Sequence, residues 1–171
     1  MSKVVLDSDG LIKLQKSGVL RVLVSSCDCI IPEAVYEESV EEGKKRLYED
    51  AFILEDIVEE GIKRIKINRK EKILQNIDDR LESLGKGEKE VFHLYFQEEA
   101  DAVISDDRAF LNILDLSKDD VKYLTPCNAI YILFKKDHIS KEIALRGLCQ
   151  IKELVREDVY YRTITKIKGG E

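Results

Sequence analysis

Four carboxylates follow two short apolar runs of this sequence. Asp7 and Asp9 come after the run VVL, and Asp106 and Asp107 come after the run AVI. Apolar runs rich in β-branched residues are typical of buried strands. If the two strands are parallel, all four acids lie at one edge of the sheet, where open α/β sheets bind their ligands. Taken alone, Asp7 and Asp9 would be interpreted first as caps of the helix that follows.

Two glutamates join these acids through helical spacing. Glu38 lies three residues after Val35, so both side chains project from one face of a helix, and Val35 is expected to face the core. Glu88 lies three and four residues before Val91 and Phe92, which places it on the buried side of its own helix. We therefore expect both glutamates to point towards the sheet edge that carries the aspartates.

Carboxylates that converge in this way need a counter-charge. Buried acids repel one another and raise one another's pKa, and no Lys or Arg stands at an equivalent inward position. A divalent cation relieves the repulsion, and a purely oxygen ligand set suits Mg²⁺ or Mn²⁺. Two such ions about 3.5–4 Å apart are a known device for phosphodiester cleavage. The pattern therefore favours metal-dependent hydrolysis.

The composition indicates a globular chain that forms one domain over residues 1–171. Of its 171 residues, 44% are hydrophobic and 36% are charged, which is enough for a proper core. No apolar run approaches the roughly 20 residues of a membrane span, and the N-terminus lacks the pattern of a signal peptide. We therefore expect a cytoplasmic protein, with its four cysteines reduced.

The net charge of −6 argues against a strong non-specific nucleic-acid binder, although an acidic active site would itself add negative charge. RNA would have to be held by local basic groups. We expect at least two of four residues near the acids to line the rim of the site: Lys13, Lys86, Lys89 and Arg108.

The elements alternate between short strands and helices, which predicts an α/β fold with a small, mostly parallel sheet covered by helices on both faces. The predicted strands are residues 3–6, 29–31, 62–67, 102–104 and 121–124. The predicted helices are residues 11–23 (interrupted near Ser17-Gly18), 33–46, 48–60, 71–84, 88–98, 109–114, 129–136, 141–156 and 159–167, with a C-terminal helical extension from about residue 140.

The chain resembles the PIN-domain nucleases, and among them the VapC-type toxins. Four segments carry the resemblance: VVLDSDGLIKL, IIPEAVYEESV, LGKGEKEVFHLYFQEEADAVISDDRAF and CNAIYILFKKDHIS. They cover most of residues 3–140, whereas residues 48–84 and the C-terminal tail contribute little. The resemblance implies a PIN-like, Rossmann-like three-layer sandwich.

The resemblance also implies a set of site residues. The four acids of the family match Asp7, Glu38, Glu88 and Asp106, which lies 18 residues after Glu88. We expect these four to be catalytic and to bind the metal, with Asp9 and Asp107 as further ligands. Glu37 and Glu90 compete with Glu38 and Glu88. Asp9 and Ser39 depart from the family pattern, which usually has Ser or Asn at the first position and an apolar residue at the second.

The function implied by the resemblance is metal-dependent endonucleolytic cleavage of RNA with Mg²⁺ or Mn²⁺, leaving a 3′-hydroxyl and a 5′-phosphate. Many relatives are toxins inhibited by a small antitoxin, and many form homodimers. We expect any dimer surface to draw on apolar residues of the segment 48–84, namely Phe52, Ile53, Ile57, Ile73, Leu74 and Ile77.

Two other functions fit parts of the sequence. Asp7 and Asp9 resemble the nucleophile and general acid of a haloacid-dehalogenase-type phosphatase, but that assignment leaves Glu38 and Glu88 without a task. A non-catalytic PIN-like module that binds proteins is the second alternative. Hydrolysis of a small phosphate ester would favour the first, and failure to bind any divalent ion would favour the second.

Overall fold

The computed structural model describes residues 2–68, 83–116 and 121–169. Its strands form one sheet in the order β3-β2-β1-β4-β5, and each neighbouring pair is parallel. The predicted α/β fold with a parallel sheet is therefore confirmed. The strands are β1 (Lys3–Leu6), β2 (Asp28–Pro32), β3 (Lys63–Ile65), β4 (Ala102–Ile104) and β5 (Tyr123–Leu124).

Helices cover both faces of the sheet, as a parallel sheet requires. Helices α2 and α8 lie over the face that carries Val4 and Ile104, and α6 packs against β1, β2 and β4. The helices are α1 (Ser8–Lys16), α2 (Leu20–Ser26), α3 (Glu33–Tyr36), α4 (Glu42–Lys45), α5 (Glu49–Gly61), α6 (Lys86–Gln97), α7 (Arg108–Leu116), α8 (Pro126–Lys135), α9 (Lys141–Ile151) and α10 (Glu157–Gly169).

The strand order places a topological switch between β1 and β4. From β1 the chain moves outward to β2 and β3, and it then returns to the other side of β1 to form β4 and β5. Leu6 is paired with Ile104, and the amide of Asp7 donates a hydrogen bond to the carbonyl of Ile104. The residues that follow β1 and β4 therefore lie side by side at the position where ligands bind in such sheets.

The interruption expected near Ser17-Gly18 separates α1 from α2. Two later helices differ from their prediction. Residues 33–45 are helical as expected, but their middle, Glu37–Glu41, is a π-helical turn. Its backbone hydrogen bonds join residues five apart, whereas those of an α-helix join residues four apart. The helix expected over 141–156 ends at Ile151. A 3₁₀ turn at Lys152–Leu154 and an extended Val155 follow, so that α10 folds back onto α8 and α9. No Gly or Pro marks this break, and periodicity alone did not reveal it.

The core is built from the strands and from the helix faces that cover them. Leu11, Leu14, Phe92 and Phe110 are fully buried there. The helix predicted for residues 71–84 falls almost entirely outside the described residues. No helix in the described part of the chain is long and apolar enough to cross a bilayer.

Gly10 allows α1 to lie against the end of β4, and we expect Gly10→Ala to destabilise the protein. A Cβ at this position would stand 2.3 Å from the backbone oxygen of Ile104 and 2.9 Å from Oδ1 of Asp7. Overpacking of this kind costs about 1–3 kcal/mol in unfolding free energy, although Ala is the better helix former. Urea unfolding measures the loss.

Gly169→Ala provides the matched control, because a Cβ at Gly169 would meet no atom within 4 Å. This control should unfold at the parent's urea concentration or a higher one. Equal stability of Gly10→Ala and the parent would contradict the close approach of α1 to β4.

Candidate active-site cleft

A cleft of about 620 Å³ opens at the carboxyl ends of β1 and β4. Seven carboxylates line it, and Lys86 is the one basic residue among the described residues that do so. Such an excess of negative charge attracts cations. The lining residues are Asp7, Ser8, Asp9, Ile12, Ala34, Glu37, Glu38, Glu42, Gly85, Lys86, Gly87, Glu88 and Asp107.

Asp7 lies at the base of the cleft and is only 4% exposed. Its Oδ1 accepts a hydrogen bond of 2.5 Å from the amide of Gly10, which caps α1, and its Oδ2 accepts one from the hydroxyl of Ser105. Asp7 therefore caps the helix and also faces the cleft, so the two roles considered from the sequence coexist. Each carboxylate oxygen keeps a further lone pair for a cation.

The three residues after β4 have three different environments. The hydroxyl of Ser105 donates to Asp7 and accepts from the amide of Asp107 at 3.1 Å. Asp107 lines the cleft, and its Oδ1 accepts from the amide of Phe110 at 2.8 Å, at the start of α7. Asp106 points elsewhere, as expected for adjacent residues that continue a strand.

Asp106 is held by cations and is not among the described residues that line the cleft. Its side chain is 2% exposed, Nζ of Lys13 lies 3.0 Å from its Oδ2, and Nε of Arg156 lies 3.7 Å from its Oδ1. The sequence prediction had both acids bind the metal, with Asp106 as the catalytic one, whereas the structure places only Asp107 of this pair on the cleft. The difference of one residue follows from side-chain alternation, which the spacing from Glu88 could not resolve.

Glu38 and Glu88 both line the cleft, as expected. Glu38 belongs to the π-helical turn and Glu88 to the first turn of α6. Glu38 is exposed to the cleft and accepts a hydrogen bond of 2.7 Å from the hydroxyl of Ser8. Glu88 is half-buried and accepts one of 2.7 Å from the amide of Gly85. A Cβ on Gly87 would stand 3.0 Å from Oε2 of Glu38, so this glycine makes room for the carboxylate.

The competing glutamates are engaged in different ways. Glu90 accepts a hydrogen bond of 3.1 Å from the amide of Ala34 at the start of α3, and it does not line the cleft. Glu37 does line the cleft and is paired with Lys86 at 2.8 Å. Of the pair Glu88 and Glu90, only Glu88 therefore lines the cleft, whereas Glu37 and Glu38 both do.

Two cleft carboxyls have raised pKa values. Burial raises the pKa of Asp7 to about 7, against the hydrogen bonds from Ser105 and Gly10, and the charges of Asp9 and Asp107 add to the rise. Burial also raises the pKa of Glu88, and the charges of Asp107 and Glu38 add to it. Asp107 therefore raises the pKa of a carboxyl on each side of the cleft, Asp7 and Glu88.

The four predicted RNA-binding residues have different positions. Lys86 lines the cleft. The ammonium of Lys13 is 2.7 Å from Asp9 and 3.0 Å from Asp106, and its side chain is only 12% exposed, so it links α1 to the end of β4. Lys89 is half-buried and Arg108 is exposed, and neither is among the residues that line the cleft.

The chemistry of this donor set fits a hard divalent cation. The lining groups include carboxylates and a hydroxyl, the ligands that Mg²⁺ and Mn²⁺ prefer. Burial raises the pKa of Asp7 and of Glu88, and repulsion from neighbouring carboxylates adds to it. In the described part of the chain no three His, Cys, Asp or Glu side chains converge tightly enough to hold an ion as they stand. The carboxylates of Asp7, Glu38, Glu88 and Asp107 instead each accept a hydrogen bond from a protein donor.

The sequence prediction missed the hydroxyl groups that orient these acids. Ser8 holds Glu38, and Ser105 holds Asp7. The signal was present in the pattern S-x-D after β4, since a Ser beside a strand end commonly bonds to nearby backbone or side-chain groups.

Comparison with known proteins supports the fold and the class of site. The family model DUF3368, described as a PIN domain, matches residues 3–118. No curated protein and no solved structure matches the chain significantly. The matched range includes all of the carboxylates in the cleft and ends before α8.

The raised pKa of Asp7 predicts a pH-dependent effect of Asp7→Asn in metal-free protein. The carboxyl loses its proton near pH 3.8 in the unfolded chain and near pH 7 in the folded protein, so the parent loses stability as the pH rises through that window. The variant lacks this loss. Its stability relative to the parent should therefore be greatest above pH 7 and smallest near pH 4.

Urea unfolding in EDTA at a series of pH values measures this difference, in which the contributions of the other titrating groups largely cancel. A difference in unfolding free energy that does not change with pH would show that burial does not perturb Asp7.

Proposed function

Because its match to the PIN-domain model covers residues 3–118, this chain belongs to the PIN-domain family, and we propose that it is a metal-dependent endoribonuclease. One observation supports the proposal most: Asp7, Glu38, Glu88 and Asp107 line one cleft at the topological switch of the sheet. The pKa values of Asp7 and Glu88 are raised in part by their carboxylate neighbours, as expected for a site that requires a cation.

We assign metal binding to Asp7, Glu38, Glu88 and Asp107, with Asp9 as a further carboxylate at the mouth of the cleft. Bound Mg²⁺ or Mn²⁺ would supply an activated water and charge stabilisation for the leaving oxygen. Asp7 is the most rigidly held of these residues, because Gly10 and Ser105 bind its two oxygens. Ser8 orients Glu38, and the amide of Gly85 orients Glu88.

The finer parts of the proposal rest on the resemblance to VapC-type toxins. They are an RNA substrate, a toxin role with an antitoxin partner, and a cytoplasmic location. Phosphatase chemistry of the haloacid-dehalogenase type is not carried forward, because the chain belongs to the PIN-domain family and because Asp9, its general acid, is paired with Lys13.

We expect Asp7→Asn and Asp107→Asn to abolish Mn²⁺-dependent cleavage of RNA. Each variant keeps the size of the side chain but weakens a ligand for a hard cation, and the loss should be roughly 100-fold or more, the scale of a catalytic group. Asp9→Asn should lose less, because Lys13 already neutralises Asp9. Initial rates on a labelled RNA oligonucleotide, with and without EDTA, give these values.

Asp158→Asn is the control, since Asp158 is an exposed acid on α10 that pairs with Arg162. It should cleave at the parent rate. Parental cleavage by Asp7→Asn would refute the nuclease proposal. A parent protein that binds no Mn²⁺ at millimolar concentration would favour the non-catalytic module.

We further expect Lys86 to contribute a phosphate contact at the open side of the cleft. Lys86→Ala, placed in the Asp7→Asn background to prevent cleavage, should weaken RNA binding for all sequences alike. It should also reduce the slope of log affinity against log salt by about 1. Fluorescence anisotropy at several salt concentrations measures both effects. Lys168→Ala on α10 should leave the slope unchanged, and an equal slope in both variants would exclude this contact.

A protein partner is proposed for the exposed apolar surface formed by Leu47, Tyr48, Phe52 and Ile53, each at least 44% exposed. Ile57, which was also considered for a dimer surface, is buried in the core, and residues 73, 74 and 77 lie outside the described residues. We propose a second copy of the chain as the occupant. Sedimentation should show a dimer that Phe52→Ser dissociates, and a monomeric parent at tens of micromolar would rule the dimer out.

A further inference from the structure

Asp106 is a buried acid that the proposed mechanism does not use. Its side chain is 2% exposed, and it is not among the described residues that line the cleft. It nevertheless lies between Ser105, which donates a hydrogen bond to Asp7, and Asp107, which lines the cleft. A buried carboxylate is costly unless cations or donors compensate it. The groups that compensate Asp106 therefore help to fix this strand end.

Two cations approach Asp106 from different parts of the chain. Lys13, on α1, bonds to its Oδ2 at 3.0 Å and also bonds to Asp9 at 2.7 Å. Arg156, in the turn before α10, brings its Nε to 3.7 Å from Oδ1. Nε of Arg156 and Oδ1 of Asp106 are both buried, and neither has a hydrogen-bond partner among the residues that the structure describes. The Arg156 side chain as a whole is 38% exposed, but at these two atoms the attraction is screened less than in a pair that lies fully in solvent.

Arg156 lies outside residues 3–118, the range that the PIN-domain model matches. The early end of α9 and the 3₁₀ turn at Lys152–Leu154 bring it to Asp106, and α9 and α8 also contact α1. The C-terminal segment thus contacts the elements at the base of the site in two ways. Helices α8 and α9 pack against α1, and Arg156 pairs with Asp106.

We propose that Arg156 is a positioning residue of the nuclease site, acting through Asp106 and Lys13 on the residues that carry Asp7, Asp9 and Asp107. Arg156 and Lys13 together anchor Asp106, and Asp106 fixes the backbone between Ser105 and Asp107. Ser105 then holds Asp7, and Lys13 holds Asp9. This inference rests on the proposed function, since it concerns the same cleft.

The test compares Arg156→Ala with Arg162→Ala. Arg162, also in the C-terminal segment, forms an ion pair of the same 3.7 Å length with Asp158, but both of its partners are more than 60% exposed. Arg156→Ala should lower kcat/KM for RNA cleavage about tenfold, as loss of an outer-shell partner commonly does, and Arg162→Ala should not. Arg156→Lys, which keeps the charge, should restore most of the activity, whereas Arg156→Gln should not.

A second readout is independent of cleavage. The amide of Gly10 donates to Asp7, so its hydrogen exchange, followed by NMR in metal-free protein, reports whether Asp7 is still held. Exchange should be faster in Arg156→Ala than in Arg162→Ala. A double-mutant cycle with Asp106→Asn completes the set. If Arg156 acts through Asp106, the double variant should lose no more activity than Asp106→Asn alone.

Each outcome decides between the alternatives. A parent that does not cleave RNA ends the proposed function, and the positioning role falls with it. If the parent cleaves and Asp7→Asn does not, the function stands, and equal behaviour of Arg156→Ala and Arg162→Ala overturns the positioning role alone. Faster exchange with parental cleavage would make the ion pair merely structural, and multiplicative losses in the cycle would make Arg156 independent of Asp106. Either result overturns the inference.

Discussion

The structure depends on the burial of Asp7 at the base of an acidic cleft. An ionised carboxylate in this position loses its hydration, and its pKa rises to about 7 as a result. The fold tolerates this because Gly10 and Ser105 satisfy both oxygens of the side chain, and because Asp7 also caps α1. Without such donors, the repulsion from Asp9 and Asp107 would add to an uncompensated desolvation cost.

The topology explains why these acids meet at all. β1 lies between β2 and β4, and the chain runs from β1 to β2 and β3 on one side before it crosses to β4 on the other. Such a switch of direction opens a crevice at the carboxyl ends of β1 and β4. Asp7 and Asp107 reach the crevice from the two strand ends. Glu38 and Glu88 reach the crevice from two helical segments. Glu88 lies in the first turn of α6, and Glu38 lies in the π-helical turn Glu37–Glu41. The residues after two strand ends therefore supply two of the acids, and helices supply the other two.

The sequence was sufficient for the fold class and for most of the cleft. Runs such as VVL and AVI predict buried parallel strands, and helical spacing correctly brought Glu38 and Glu88 to the same place as Asp7. Only the structure shows which of Asp106 and Asp107 faces the cleft. Side chains alternate between the two sides of a strand, and the spacing of 18 residues from Glu88 to Asp106 does not say which side either acid takes. The end of α9 was also hidden, since neither Gly nor Pro marks the turn after Ile151.

The contrast between Asp106 and Asp107 shows how one acidic pair can serve two purposes. Both follow the same strand, but Asp106 meets Lys13 and Arg156, whereas Asp107 meets the open cleft. An acid with two cationic neighbours has little attraction left for a further cation, and an acid surrounded by other carboxylates has a strong one. The environment, and not the residue type, therefore separates an anchoring carboxylate from a ligating one. The same argument applies to Asp9, which lines the cleft but shares the ammonium of Lys13, and it accounts for the weaker role assigned to that residue.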